Sequence, residues 1–275
     1  GDTAWVVDED NDSVNMVSIT KNPITSERVI ETKNDYFIFT DSKPSSITRV
    51  NNYIATTYAD TGSIRFNQMD YPWIDGGTVP WTTWKISLRN EMPIASVAHD
   101  NMLYVALYAS GEIIKIDTVT RQIVSRLTVG PKPKAMALTS DGARLLVTRF
   151  ISNADYGEVY DILTAGNMSF RDEEQPSIRI NKIWVPDDID HGSGVANYLR
   201  SIVIDPKDEF AYVTANKANI ERGEYLSGIA LSADNTIRSM IVVLDLSTHS
   251  DTNVDALTRE GTTDVQNSAD PSGLT

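Results

Sequence analysis

Apolar and β-branched residues fall in short runs broken by turn residues, most clearly from Gly111 to Phe150, GEIIKIDTVTRQIVSRLTVGPKPKAMALTSDGARLLVTRF. Strands are predicted at Ile113 to Ile116, Ile123 to Leu127, Ala135 to Leu138 and Leu145 to Thr148. A turn at Asp117-Thr118, a Gly130-Pro131 break and a tight turn at Ser140-Asp141-Gly142 separate them, each with residues that punctuate extended chain. Helical periodicity is scarce, and its best stretch, Ser193 to Leu199, is too short to change the class.

The phrase recurs. It opens at Pro44 (PSSITRVNNYIATTY), Pro93 (PIASVAHDNMLYVALY), Pro133 (PKAMALTSDGARLLVTRF) and Leu199 (LRSIVIDPKDEFAYVTAN), with a fifth opening at Pro271. Each copy closes on a small or β-branched residue: Ala55, Val105, Val147 and Val213, at offsets of 11, 12, 14 and 14 residues. The openings are 49, 40, 66 and 72 residues apart, so a unit of about 40 residues carries insertions, near 67–85, 164–197 and 216–236. A half-copy, AWVVDEDNDSVNMVSI, leads from Ala4. Four short strands per such unit are the signature of a β-propeller blade, and a β-sandwich is the competing arrangement. The expected fold is an all-β propeller of four-stranded blades, with four complete repeats and partial ones at both ends, residues 1–275 being one propeller domain or a portion of one.

The stretch from Ile113 to Phe150 resembles the YVTN-type β-propeller repeat of bacterial and archaeal secreted and cell-surface proteins, and Tyr212-Val213-Thr214-Ala215-Asn216 nearly spells its motif. The N-Y-L at Asn197, the N-I-x-R-G at Asn219 and the N-T-x-R at Asn235 are similar to phrases in a subgroup of large surface propellers. His191-Gly192-Ser193-Gly194 stands where that subgroup has a shorter Gly-Arg-Gly approach, so no role for a basic residue carries over there. The resemblance covers about residues 93 to 275 well and implies seven blades, a location outside the cell or at its surface (the periplasm included), and a structural or binding module for protein or glycan. Similar propellers also occur as lactonases, as dehydrogenase subunits and beside cytochrome-type peroxidase domains, which leaves open an enzyme portion or the scaffold of a redox enzyme; a surface-layer or filament subunit is the third class. With four complete units and a start at Gly1-Asp2-Thr3 in place of Met, the chain is expected to be part of a longer polypeptide. A five-bladed ring closed by the Pro271 stub is the alternative.

Charge narrows the partners. With 24 Lys+Arg against 38 Asp+Glu the net charge is −14, which disfavours nucleic acid because no basic surface is available to displace phosphate counterions. The absence of cysteine excludes disulfides, haem attached through CxxCH, iron–sulfur clusters and thiolate zinc within the chain. No apolar run reaches the roughly 18–20 residues a membrane helix needs.

Four places can carry chemistry. Tyr71, Trp73, Trp81 and Trp84 lie beside Asp70 and Asp75 in the first insertion, where flat rings can stack on sugars or hold an apolar partner, or simply plug the space between blades. Asp8, Asp10 and Asp12 match the first half of a Ca2+ loop, but Ser13 and Ile19 stand where its Gly and Glu belong, and a plain turn also accounts for them. Asp187, Asp188, Asp190 and His191 can bind a hard or borderline cation, or form a solvated acidic loop. Lys217 and Arg222, with Asn216, Asn219 and Gly223, can clamp carboxylates of a neighbouring loop or a partner. No catalytic set stands out: the three histidines show no metal-ligand spacing.

Overall fold

The computed structural model describes residues 2–8, 13–22, 25, 28–39, 42–68, 84–182, 193–219 and 236–247. The chain is all-β, with sheets built from strands that follow one another in sequence and pair antiparallel. By contact density it divides into two compact units, Gly1–Arg126 and Leu127–Thr275.

The first unit holds three sheets. Strands β1 (Asp2–Asp8), β2 (Ser13–Lys21) and β3 (Arg28–Phe39) form the first, in that order. Strands β4 (Ser46–Val50), β5 (Tyr53–Tyr58), β6 (Ser63–Gln68) and β7 (Trp84–Ser87) form the second. Strands β8 (Pro93–His99), β9 (Met102–Leu107), β10 (Glu112–Asp117) and β11 (Gln122–Thr128) form the third, and the unit boundary falls inside β11. The leading half-copy at Ala4 is thus a three-stranded sheet.

The second unit holds two sheets. Strands β12 (Pro133–Leu138), β13 (Arg144–Arg149) and β14 (Tyr156–Leu163) are followed by a split fourth position: β15 (Ser169–Phe170) pairs with the end of β14 and β16 (Ser177–Asn181) with its beginning. Strands β17 (Val195–Ile204), β18 (Phe210–Ala218) and β19 (Ile237–Asp245) form the last sheet. The helix-like spacing at Ser193 to Leu199 is therefore the start of β17, where pairing with β18 overrides the local pattern.

Each repeated opening marks the first strand of a sheet, and each closing residue sits on the second. Ala55, Val105, Val147 and Val213 are all fully buried. The two longest offsets, of 14, go with the longer connections. Two residues link β4 to β5 and β8 to β9, with Val50 opposite Tyr53 and His99 opposite Met102. Five link β12 to β13 and β17 to β18, with Leu138 opposite Leu145 and Ile204 opposite Ala211.

First strands of successive sheets lie together within each unit: β1 beside β4, β4 beside β8, and β12 beside β17. Hydroxyls bridge β4 to β8, with Ser46 Oγ 2.8 Å and Thr48 Oγ1 2.7 Å from Ser96 Oγ. Because sheets cover one another, strands β9, β10 and β13 are buried on both faces, whereas β11 alternates, Ile123, Ser125 and Leu127 turned inward and Val124 and Arg126 outward. In the first unit, Val50, Ala55, Ile64, Phe66 and Leu88 pack on Leu103, Val105, Leu107, Ile114 and Ile116. In the second, Leu146, Val159, Ile178 and Ile180 pack on Ile202, Val213, Val242 and Leu244. Full burial of such side chains is worth about 1.5–3 kcal/mol each.

A backbone signature recurs at the openings. The residues before Pro93, Pro133 and Leu199 are all left-handed non-glycines: Met92 (φ 53°), Lys132 (φ 59°) and Tyr198 (φ 52°). Register shifts follow at Pro93/Ala95 and Pro133/Met136, and Tyr198 lies inside the shift at Asn197/Ser201. Such a backbone costs an L-residue about 1–2 kcal/mol, against about 0.5–1 kcal/mol of extra chain entropy lost by glycine. Met92 is exposed and its carbonyl accepts from Tyr108 N–H at 3.0 Å, which a glycine retains. Met92→Gly is therefore expected to stabilise the protein by about 0.5 kcal/mol; a lowered denaturant midpoint would contradict it.

Candidate binding site at the ends of β12, β13 and β17

Strand β13 ends at Arg149 and Phe150 follows it, and the two side chains enter different surroundings. Arg149 is held inward: its Nη1 donates to Glu158 Oε2 at 2.5 Å and its Nε to the Ile151 carbonyl at 2.9 Å. Glu158, buried on β14, also accepts from Ser177 Oγ at 3.2 Å. The neighbouring Tyr160 hydroxyl is pushed up to about 12, first by its own burial and then by the Glu158 charge. Because its folded value lies above the ordinary tyrosine value, the stabilisation is complete below about pH 10 and is lost as pH rises to about 12, on the order of 2 kcal/mol. Denaturation midpoints at pH 9 and 11.5 should fall further for the wild type than for Tyr160→Phe; equal falls would overturn this.

Phe150 faces cations instead. Lys134 Nζ lies 5.9 Å and the Arg200 guanidinium 5.6 Å from its ring centroid, and the Tyr198 ring stands 5.4 Å away, tilted by 56°. The backbone around the ring is tied down: Phe150 N–H donates to the Lys132 carbonyl at 2.9 Å. Asn197 Oδ1 accepts from both Ser152 N–H at 3.0 Å and Tyr198 N–H at 2.9 Å, and Ser152 Oγ donates to the Ala196 carbonyl at 2.6 Å. Lys134 and Arg200 occupy the same repeat position, one residue past the openings Pro133 and Leu199. Serine (Ser45) and isoleucine (Ile94) stand there in the other two copies.

The opposite ends of these strands form a second polar cluster. Ser140 N–H and Oγ–H donate to the Asp208 carboxylate at 3.0 and 2.5 Å, joining the two five-residue connections. Asp205 accepts from the Phe210, Glu209 and Lys207 N–H groups at 2.8, 2.7 and 3.2 Å, and these bonds, Phe210 first, hold its carboxyl below the usual range. Asp208→Ala should cost about 1 kcal/mol, since it removes exposed hydrogen bonds to a charged acceptor; an unchanged midpoint would show the two connections to be independent.

Of the residues singled out from sequence, Trp84 begins β7, stacked on Phe66 with ring centroids 3.5 Å apart and planes within 5°. Tyr53 meets it edge-on at 5.9 Å, and the Arg121 guanidinium lies 6.0 Å from its ring. One indole face is thus taken up in packing, and the buried indole N–H has no acceptor among the described residues. Tyr71, Trp73 and Trp81 lie outside the described residues, as do Asp10, Asp12, Asp187, Asp188, Asp190, His191 and Arg222. Asp8 ends β1, opposite Ser13 at the start of β2. Lys217 lies on β18 opposite Ala196 on one side and Arg238 on the other. Among the described residues no group of three or more His, Asp or Glu is placed to hold a metal ion, and no helix is long and apolar enough to cross a membrane.

The Phe150 cluster does not announce itself in the sequence, because its cations come from strands 66 residues apart. The signal that could have found it is the coincidence of Lys134 and Arg200 at one repeat position in an acidic chain.

No family model matches the chain, and no curated protein matches it. Among solved structures it is similar to Kuenenia stuttgartiensis hydrazine synthase, with a TM-score of 0.63 and 14% identity over 88% of this chain and 59% of that one. It also matches the computationally designed Ika4 protein, with a TM-score of 0.41 and 12% identity over 72% of this chain and 91% of that one. The chain therefore spans 59% of the length of the hydrazine synthase chain, and at this identity the likeness is one of fold, supporting a β-propeller-like class.

Proposed function

We propose that the chain is part of a larger β-propeller of the YVTN repeat type, acting outside the cell or at its surface as a structural or binding module for protein or glycan. The observation that carries the propeller reading is the repeated construction: Pro93 and Pro133 begin the first strands of their sheets, Pro44 stands just before one and Leu199 lies within one, and first strands gather together within each unit. The YVTN-like phrases from Ile113 onward supply the habitat and the module class.

One residue supports further blades. Leu146, the residue before its closing position, is fully buried and packs on the following sheet, but Tyr212, at the same position of the last sheet, is 40% exposed, and Val203 opposite it is 60% exposed. The same position is covered wherever another sheet packs on it, so we read this face of β17–β19 as the seat of the next sheet in a seven-bladed ring.

Two measurements on the native polypeptide test the reading. Protease shaving of intact cells should release its peptides, and the purified protein should bind saturably to a glycan array or to envelope proteins. Release only after lysis, with no saturable binding, would overturn the surface-module reading. Hydroxyl-radical footprinting should leave Tyr212 as protected as Tyr104; heavy labelling of Tyr212 would overturn the larger ring.

A further inference from the structure

We infer that Lys134 and Arg200, gathered on the Phe150 ring, form a binding site for an oxyanion: a carboxylate, sulfate or phosphate group of the module's ligand. The inference rests on the binding-module reading and names the chemistry of its contact.

The argument starts from neutralisation. Arg149, adjacent to Phe150, has Glu158 against its guanidinium. Lys134 and Arg200 have no carboxylate within ion-pair distance among the described residues, although acidic residues outnumber basic ones by 38 to 24. An aromatic face attracts a cation, but one ring shared by two cations leaves their mutual repulsion uncompensated. An anion touching both relieves it. The ammonium supplies a compact charge with three donors and the guanidinium a planar fork, a pairing suited to a group with two or three acceptor oxygens.

The platform is built before any ligand arrives. Both cations rise from first strands that lie together, β12 and β17. Tyr198, in its left-handed backbone, is fixed by the Asn197 side chain and sets its ring beside Phe150. Pre-ordering of this kind lowers the entropy a ligand must remove. The site is also particular to these two sheets, since Ser45 and Ile94 carry no charge at the matching positions.

The test is a titration of the native polypeptide with sodium sulfate, sodium phosphate and a hexuronate trimer, followed in 15N–1H spectra at constant ionic strength. Saturable shifts at the Lys134, Phe150 and Arg200 amides are expected with at least one probe. A tighter fit to the trimer would point to a sugar-borne carboxylate, and equal binding of sulfate or phosphate to a free anion; both support the site. Lys134→Gln and Arg200→Gln should each weaken binding about tenfold, the loss of one charge-assisted contact, and Arg200→Lys should weaken it less. Lys85→Gln, an exposed lysine on β7, should change nothing. Shifts that rise without saturating, or that survive both glutamine substitutions, would overturn the inference. Where Arg200→Gln disturbs folding, the comparison of Arg200→Lys with Lys134→Gln decides. Capture of neutral glycans or envelope proteins without any oxyanion response would overturn this site and leave the module reading standing; no binding of any kind would overturn both.

Discussion

Replacing Asp161 by Ala is expected to destabilise the second unit by about 3–5 kcal/mol, the cost of leaving a mostly buried charge without its partner. Asp161 sits on β14, fully buried. Arg144, on the neighbouring strand, donates to it twice, Nε to Oδ1 at 3.2 Å and Nη2 to Oδ2 at 2.6 Å. Arg171 reaches the same carboxylate at 3.4 Å. The third guanidinium nitrogen of Arg144 donates to the Leu246 carbonyl at 3.0 Å, just past the end of β19, so the ion pair also ties the last sheet to its neighbour. Fork-to-fork geometry makes the contact directional as well as strong. An alanine leaves the guanidinium buried with one carbonyl for company. Replacing both partners with apolar residues, Arg144→Met with Asp161→Leu, removes the orphaned charge and should recover most of the loss. Urea unfolding of both variants checks this; a loss below about 1 kcal/mol for Asp161→Ala would mean that water screens the pair.

Gly130→Ala should cost about 2–5 kcal/mol, from two separate sources. The backbone of Gly130 has φ 126°, a region L-residues rarely enter, and that strain accounts for about 1–2 kcal/mol. A methyl group there would also press into the Tyr160 hydroxyl oxygen and lie 3.3 Å from its Cζ, adding an overpacking cost of about 1–3 kcal/mol. Tyr160 has little room to retreat, being buried on β14 next to the Arg149–Glu158 pair. The two sources separate in a double-mutant cycle. Tyr160→Phe removes the oxygen that the methyl group strikes, so Gly130→Ala should cost less in that background, with the backbone share remaining. Identical losses in both backgrounds would show that only the backbone matters. The break at Gly130-Pro131, legible from sequence as the end of a strand, thus has a packing reason as well as a turn reason.

The sheets were readable because their signals are local. Turn residues and β-branched runs placed β10, β11, β12 and β13 to within about two residues, and the closing positions identified buried centres of second strands. The repeat did not reveal where one sheet stops: the phrase from Gly111 to Phe150 holds the last two strands of one sheet and the first two of the next. Nor did it reveal the split fourth position of β15 and β16. Residues 164–197 read as an insertion, and only pairing with β14 distinguishes its short strands β15 and β16. Trp84 was visible as a candidate through its aromatic neighbours in sequence, yet its contacts are Phe66 and Tyr53, brought to it by register. The Phe150 cluster depends on two first strands lying together, a relation that composition and spacing do not contain.

The nearest-neighbour order of the strands has a kinetic consequence. From β4 onward, most strands pair with those immediately before and after them, so each sheet can form without waiting for distant chain. Contacts this local close small loops, which lowers the entropic barrier that slows most all-β proteins. During synthesis, β4–β7 can complete their hydrogen bonds before β8 has left the ribosome, and within each unit a finished sheet offers the next an apolar face to condense on.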